Sequence, residues 1–542
     1  MALELDRIGR ALGASRTVAA VVPELASLLN DERDEVVTAG LDAAAALTRN
    51  GFLPSAAVAN SLLAPILDMY ASASPALELS LAWLLGPFGV QLEPLLDESG
   101  RQTLVRAFVD YASARPPFGD HPGVALLQPA RSLLAPTIDG RALPSLLEYT
   151  VEPRGLVPLA VAFNSPAVFA TFGGVHKHGL VICNVLDKLT QSEEECVRAT
   201  LARALPVVGE CIADRAAPGS ESSVAMARAV RDVSLVLLSD SRPEVAGAAT
   251  AGLSRLLEGL DTALRTRAKA CALAPAADIR FFAPYAPVLL AAFASLPALA
   301  WRARAETVSQ WAVVGRFFDH EVVFGDFAPV LLGLLTGSGT ASAVRAAAAT
   351  TLVVTMRTLR RSQLRNELCN SVLAELARGK SSWRRVAFVD VVAAAVRTCS
   401  RAFVKDKFLQ SFLDVANDNV ANVRLRAAAQ LVHIKRMLSL PLDTYLLKKL
   451  EDIAAAYASD PLPSVAAAGR AASAELARIK LVPAVRHSVT PQFEDDLQDQ
   501  RKAEEETKLL TLSEASFLKR LLPSGSGSAT RQAFSSRSRR RR

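Results

Sequence analysis

A chain of 542 residues with 51% hydrophobic content can bury a large core, yet only 6% is aromatic and alanine is very common, so the burial must come from small side chains on closely packed helices. The formal charge of +7 is local: five arginines lie among the last six residues, Arg537–Arg542, and the rest carries +2, which excludes a basic nucleic-acid-binding body. Six scattered cysteines without a CxxC pair point to reduced thiols rather than a disulfide framework.

The first residues, Met-Ala-Leu-Glu-Leu-Asp-Arg, have no basic segment followed by an apolar run, so no secretory signal is expected. A short frame then begins to recur. An acidic or hydroxyl turn residue precedes a valine by five positions, and a small residue follows four later. It occurs in full at Asp31/Val36/Gly40, Asp240/Val245/Ala249, Asp418/Val423/Ala427 and Asp460/Val465/Gly469, and with one member missing at Ser192/Val197 and Val344/Ala348. Arginine follows the valine at Arg198, Arg345 and Arg424, and Trp301 and Trp383 read as valine-slot variants. From Trp301 onward the spacings are 43, 39, 40 and 42 residues. That period belongs to a HEAT-type helical hairpin, so the expected fold is all-α, an α-α superhelix over residues 1–480.

Each part of the frame has a physical role. The turn Asp or Ser accepts from backbone N–H groups left open at a helix start. The second helix of the 423 hairpin presents one apolar stripe, Val423, Ala427, Leu431, Ile434 and Leu438, and its first helix presents Val404, Phe408, Phe412 and Val415. The small residue lets a neighbouring helix approach closely.

Along the chain, residues 1 to about 115 hold two or three hairpins, with Leu77, Leu81 and Trp83 on an inner helix. Residues 115–166 are rich in proline and read as an irregular insert. Regular hairpins run from about Gly179 to Lys480, with an insertion of about a dozen residues between Val245 and Trp301. Phe281–Trp301 is uncharged, but Pro284, Pro287 and Pro297 break it into a loop, a short helix and a turn, and no membrane span is expected. Residues 492–522 form a charged helix, solvated or weakly coiled, and 523–542 a disordered basic tail.

The chain carries no phosphate loop, HExxH or nucleophile elbow. His176, His178 and Cys183, with Cys196 nearby, have no zinc spacing and read as loop histidines before a core cysteine. No catalysis, metal or cofactor is expected. Candidate function therefore falls on surface residues: Trp301, Arg302, Arg304, Arg345, Trp383, Arg384, Arg385, Arg424 and Arg426 cluster at the starts of inner helices. Two readings stay open. An arginine there can bridge to the turn aspartate of the next hairpin while tryptophan caps the core, or the aligned turns can form a partner-binding ridge in which Trp and Arg are favoured anchors.

Trp301-Arg-Ala-Arg-Ala-Glu, Val344-Arg-Ala-Ala-Ala, Trp383-Arg-Arg-Val-Ala-Phe, and Asn419-Val-Ala-Asn-Val-Arg-Leu-Arg with Leu440-Pro-Leu-Asp-Thr-Tyr resemble HEAT-repeat scaffold and regulatory subunits of 2A-type Ser/Thr phosphatases. The likeness is best over about Ser382–Lys508 and includes the acidic segment from Phe493, which is similar to protein phosphatase 4 regulatory subunits. The resemblance implies a non-catalytic subunit that binds a phosphatase catalytic subunit of the 4 or 2A type, the catalytic metals belonging to the partner. Neither nucleic acid nor membrane is an expected partner. The expected location is cytoplasmic, and two readings of the arginine tail stay open, a nuclear-import signal or a solvated terminus. A tubulin-binding array or a transport receptor is the alternative.

Overall fold

The computed structural model describes residues 2–53, 57–58, 61–72, 74–113, 137–138, 141–142, 156–174, 176–265, 276–479, 481 and 493–521. The chain divides into two compact units, the first ending at Trp311 and the second running on from Ala312.

The first unit is a two-layer stack of helical hairpins. Its inner layer passes from Asp34–Arg49 to Pro75–Leu92, Leu156–Phe172, Glu195–Arg215 and then the pair Pro243–Ala251 and Leu253–Leu264, each packed on the one before. Its outer layer runs in parallel through Val22–Leu29, Leu63–Ser72, Glu98–Tyr111, His176–Thr190, Glu221–Leu238 and Tyr285–Ser295. The second unit repeats the plan. Ser342–Thr358, Ser382–Thr398, Ala421–Lys435 and Pro463–Arg478 form one layer, each against its neighbour, and Thr444–Ala458 closes the last hairpin. Both stripes read from the 423 hairpin are buried, from Val404 at 1% exposure to Val423, Ala427 and Leu431 at 0%. This is a HEAT-type all-α fold.

The insert ends earlier than its prolines indicate. Helix Leu156–Phe172 begins ten residues before Pro166, and it packs on Pro75–Leu92, which contains Pro87. A proline within a helix removes one backbone donor and leaves the carbonyl four residues earlier without its bond. Here side chains supply the missing donors. The Ser165 hydroxyl donates to the Ala162 carbonyl (2.8 Å), the one that Pro166 strands. The buried Asn164 amide donates to Trp83 (3.1 Å), which Pro87 strands, and to Ala82 (2.8 Å). Gly86 makes room, since a Cβ there would stand 2.3 Å from Asn164 Oδ1. Within the insert, Thr137–Ile138 and Arg141–Ala142 pair as a two-residue antiparallel ladder, a local exception to the all-helical reading.

The uncharged stretch breaks as expected, into Ile279–Phe282, Tyr285–Ser295 and a turn before Trp301. Among the described residues no helix is long and apolar enough to cross a membrane. The expected disordered tail, residues 523–542, lies outside the described residues.

Candidate functional site

The frame is set by the helix start. Val197, Val245, Val344, Val423 and Val465 each stand three residues after the N-cap of their helix, and each is fully buried or nearly so. Asp240 accepts from the Arg242 N–H (2.8 Å), Asp418 from Val420 (2.8 Å) and Asp460 from Leu462 (2.9 Å), so each aspartate closes its turn onto the residue that caps the next helix.

The same carboxylates are also tied to the preceding hairpin. Arg198 donates to Asp240 (2.7 Å), Arg385 to Asp418, and Arg424 to Asp460 (2.8 Å). Each arginine sits one position beyond the valine position and also donates to the carbonyls of its own turn: Arg198 to Ser192 (2.6 Å), Arg385 to Gly379 (2.9 Å) and Arg424 to Asp418 (2.9 Å). Guanidinium and carboxylate thus link adjacent turns as a ladder along the starts of the inner helices. Burial pushes the Asp418 carboxyl up. The hydrogen bond from Arg385, the Val420 N–H and the charges of Arg385 and Arg424 more than reverse this and hold it below its ordinary value.

This geometry corrects the tryptophan register. The N-caps of the two tryptophan helices are Ala300 and Ser381, so the valine position falls on Ala303 and Arg384, and the ladder position on Arg304 and Arg385. Trp301 and Trp383 fall in the first turn instead, 39% and 40% exposed. A first-turn side chain projects from the stack edge, so neither ring enters the core. Trp383 donates its indole N–H to the Thr336 carbonyl (3.3 Å), and Arg302 lies over the Trp301 ring, 4.5 Å from its centroid.

The candidate cations accordingly separate by role. Arg385 and Arg424 follow the bridging alternative. Arg304 lies over Phe293 (4.3 Å) and donates to the Leu296 carbonyl (2.8 Å), a further turn-closing role. Arg384 is partly buried, and its Nε has no hydrogen-bond partner among the described residues. Arg426 is half exposed and pairs with Asp390 on the neighbouring inner helix (2.6 Å). Arg345 occupies the ladder position, but Gly379 stands where the next aspartate would be. A Cβ at Gly379 would meet the Glu375 carbonyl at 2.6 Å and Arg384 Cβ at 2.9 Å, which excludes a carboxylate without rearrangement. The Arg345 guanidinium therefore makes no ion pair or hydrogen bond among the described residues, although its backbone N–H donates to the Ala341 carbonyl (3.0 Å). Arg345 and Trp383 lie in the first turns, and Arg426 in the second turn, of three successive helices of one layer in the second unit. Sequence reasoning missed the apolar companions on that unit: Leu442 and Tyr445 are exposed, as are the N-cap residues Val420 and Leu462.

The described thiols are buried and unsuited to chemistry. Burial pushes Cys183 and Cys399 up to about 12, and Cys369 and Cys196 up to about 11. His178 is buried at 3% exposure and the His176 side chain lies outside the described residues; among those described, no cluster of His, Cys, Asp and Glu could hold a metal ion.

Fold and edge together define a HEAT-type helical-repeat protein. The chain is 26% identical over 218 residues to human serine/threonine-protein phosphatase 4 regulatory subunit 4, and equally to the mouse protein. The alignment covers 40% of this chain and 24% of those proteins, so the chain matches about a quarter of the relatives' length. No family model matches. Among solved structures, importin beta superposes with a TM-score of 0.43 at 12% identity, covering 87% of this chain and 53% of that one.

Proposed function

We propose that the chain is a non-catalytic regulatory or scaffold subunit that holds a Ser/Thr phosphatase catalytic subunit of the 4 or 2A type. The similarity to protein phosphatase 4 regulatory subunit 4 over 218 residues carries this reading. The second unit agrees with it in offering an exposed aromatic and an exposed cationic anchor, Trp383 and Arg426.

The contact is placed on the turn edge of the second unit, with Arg345, Trp383 and Arg426 in direct contact. Arg385 and Arg424 act one step behind, by fixing the turns. Rim charges influence the rate and affinity of association. Charge reversal of Arg345 and Arg426 together should weaken binding to a purified catalytic subunit by about tenfold or more, roughly 1.4 kcal/mol, with thermal unfolding little changed. Unaltered affinity in the folded double variant would remove this edge from the interface.

A further inference from the structure

The charged helix expected to be solvated, Phe493–Leu521, is docked. It packs on the hairpins of the second unit, against the helix starting at Arg401 and against Ser342–Thr358. Glu506, only 8% exposed, accepts from the Ser400 N–H (2.9 Å), the Ser400 hydroxyl (2.6 Å) and Arg357 Nε (3.3 Å). Glu505 accepts from Arg357 Nη2 (2.8 Å). One turn and more earlier, Asp499 accepts from the Arg401 N–H (2.7 Å) and Asp496 from Arg401 Nη1 (2.6 Å). Leu509, three residues beyond Glu506, is the buried apolar member of this face among the described residues.

The receiving surface is basic and polar, and it is incompletely filled. Next to Glu506 an open cleft of about 450 Å³ remains, bordered by Arg365, Asn366, Phe403 and Lys407, the last paired with Asp406 on the same rim (2.7 Å). Over the described residues, 495–510, the contact is held mainly by charge-assisted hydrogen bonds, and such bonds weaken with salt and exchange with a competitor of the same charge pattern, unlike the apolar contacts between hairpins.

We infer that the surface formed by Arg357, the Ser400 turn and Arg401 is a receptor for an acidic helix, closed in cis by residues 493–510, and that a partner protein presenting the same pattern displaces this helix to bind. The pattern is two carboxylates three residues apart, then an adjacent Glu pair, then an apolar residue three positions on. The inference stands apart from the phosphatase reading, which concerns the turn edge.

The test uses the 542-residue chain as wild type and as Glu505→Lys/Glu506→Lys, with two further variants as controls, and a labelled alanine-based helical peptide that carries only the Asp496, Asp499, Glu505, Glu506 and Leu509 side chains in their native spacing. The wild-type chain competes with the peptide through its own tethered helix, at an effective concentration of the order of mM, and should bind it weakly. The released variant should bind at least tenfold more tightly, and adding Arg357→Glu should abolish the gain. Hydrogen exchange should show faster exchange across 493–510 in the variant and unchanged protection of Ala421–Lys435, separating release from unfolding. Asp496→Asn/Asp499→Asn, which removes carboxylates without reversing charge, should move binding the same way by a smaller factor. Equal peptide affinity of wild type and both variants would overturn the inference. So would binding that survives Arg357→Glu, or release that yields a dimer by helix exchange in place of an open site.

Discussion

Arg424 and Arg426 are two residues apart and separate the two uses of arginine on this edge. Arg424 is largely buried and holds Asp460, itself 7% exposed, so Arg424→Ala strands a carboxylate that keeps only the Leu462 N–H. That should cost about 1–3 kcal/mol in thermal or denaturant unfolding. Arg426→Ala removes an exposed pair and should cost less than about 1 kcal/mol. A third residue sets a pH dependence. Burial, reinforced by the charge of Arg360, lowers His320 from 6.5 to about 4, so the unfolded chain binds the extra proton between those values. The share of stability that His320 contributes is fully present above pH 6.5 and is lost as the pH drops towards 4, by about 1–3 kcal/mol, while Asp42, raised to about 6 by burial, acts in the opposite sense. His320→Gln should flatten that slope in denaturant titrations across the window. Asp418 titrates below 3.8 in the fold, so its share of stability is lost only at more acid pH.

At the scale of the helix, the small residue of the frame proves to be a steric requirement. A Cβ on Gly469 would stand 2.4 Å from the Ala458 N and Tyr457 carbonyl carbon of the partner helix, and at Gly259 it would stand 2.7 Å from the Gly209 backbone. Gly469→Ala should therefore destabilise the last hairpin by about 1–3 kcal/mol, read by unfolding and by hydrogen exchange that spreads to Ala421–Lys435. Gly469 and the buried stripes were legible because burial imposes a period, and Asp418 and Asp460 because a turn imposes a residue type. Helix Leu156–Phe172 was not, because its prolines argue against a helix and the side chains that compensate for them, Asn164 and Ser165, act across space or in its own preceding turn. The tryptophan register slipped for a related reason: without a valine, the largest apolar residue is read into the slot, whereas the N-cap decides it. Docking of Glu506 on Ser400 joins residues 106 positions apart, which no local pattern encodes.

The two units share one building plan. In the second, Arg385 and Arg424 are held by aspartates of the following turns, while Arg345, Trp383 and Arg426 are the contacts proposed for a partner. If this edge serves phosphatase capture, affinity purification of the tagged, folded chain from its own cells, followed by mass spectrometry, reads the partner without intermediaries. A Ser/Thr phosphatase catalytic subunit of the 4 or 2A type should be among the retained proteins, diminished by charge reversal at Arg345 and Arg426. Retention of tubulin or a Ran-type GTPase with no phosphatase catalytic subunit, by protein shown to be folded, would contradict it.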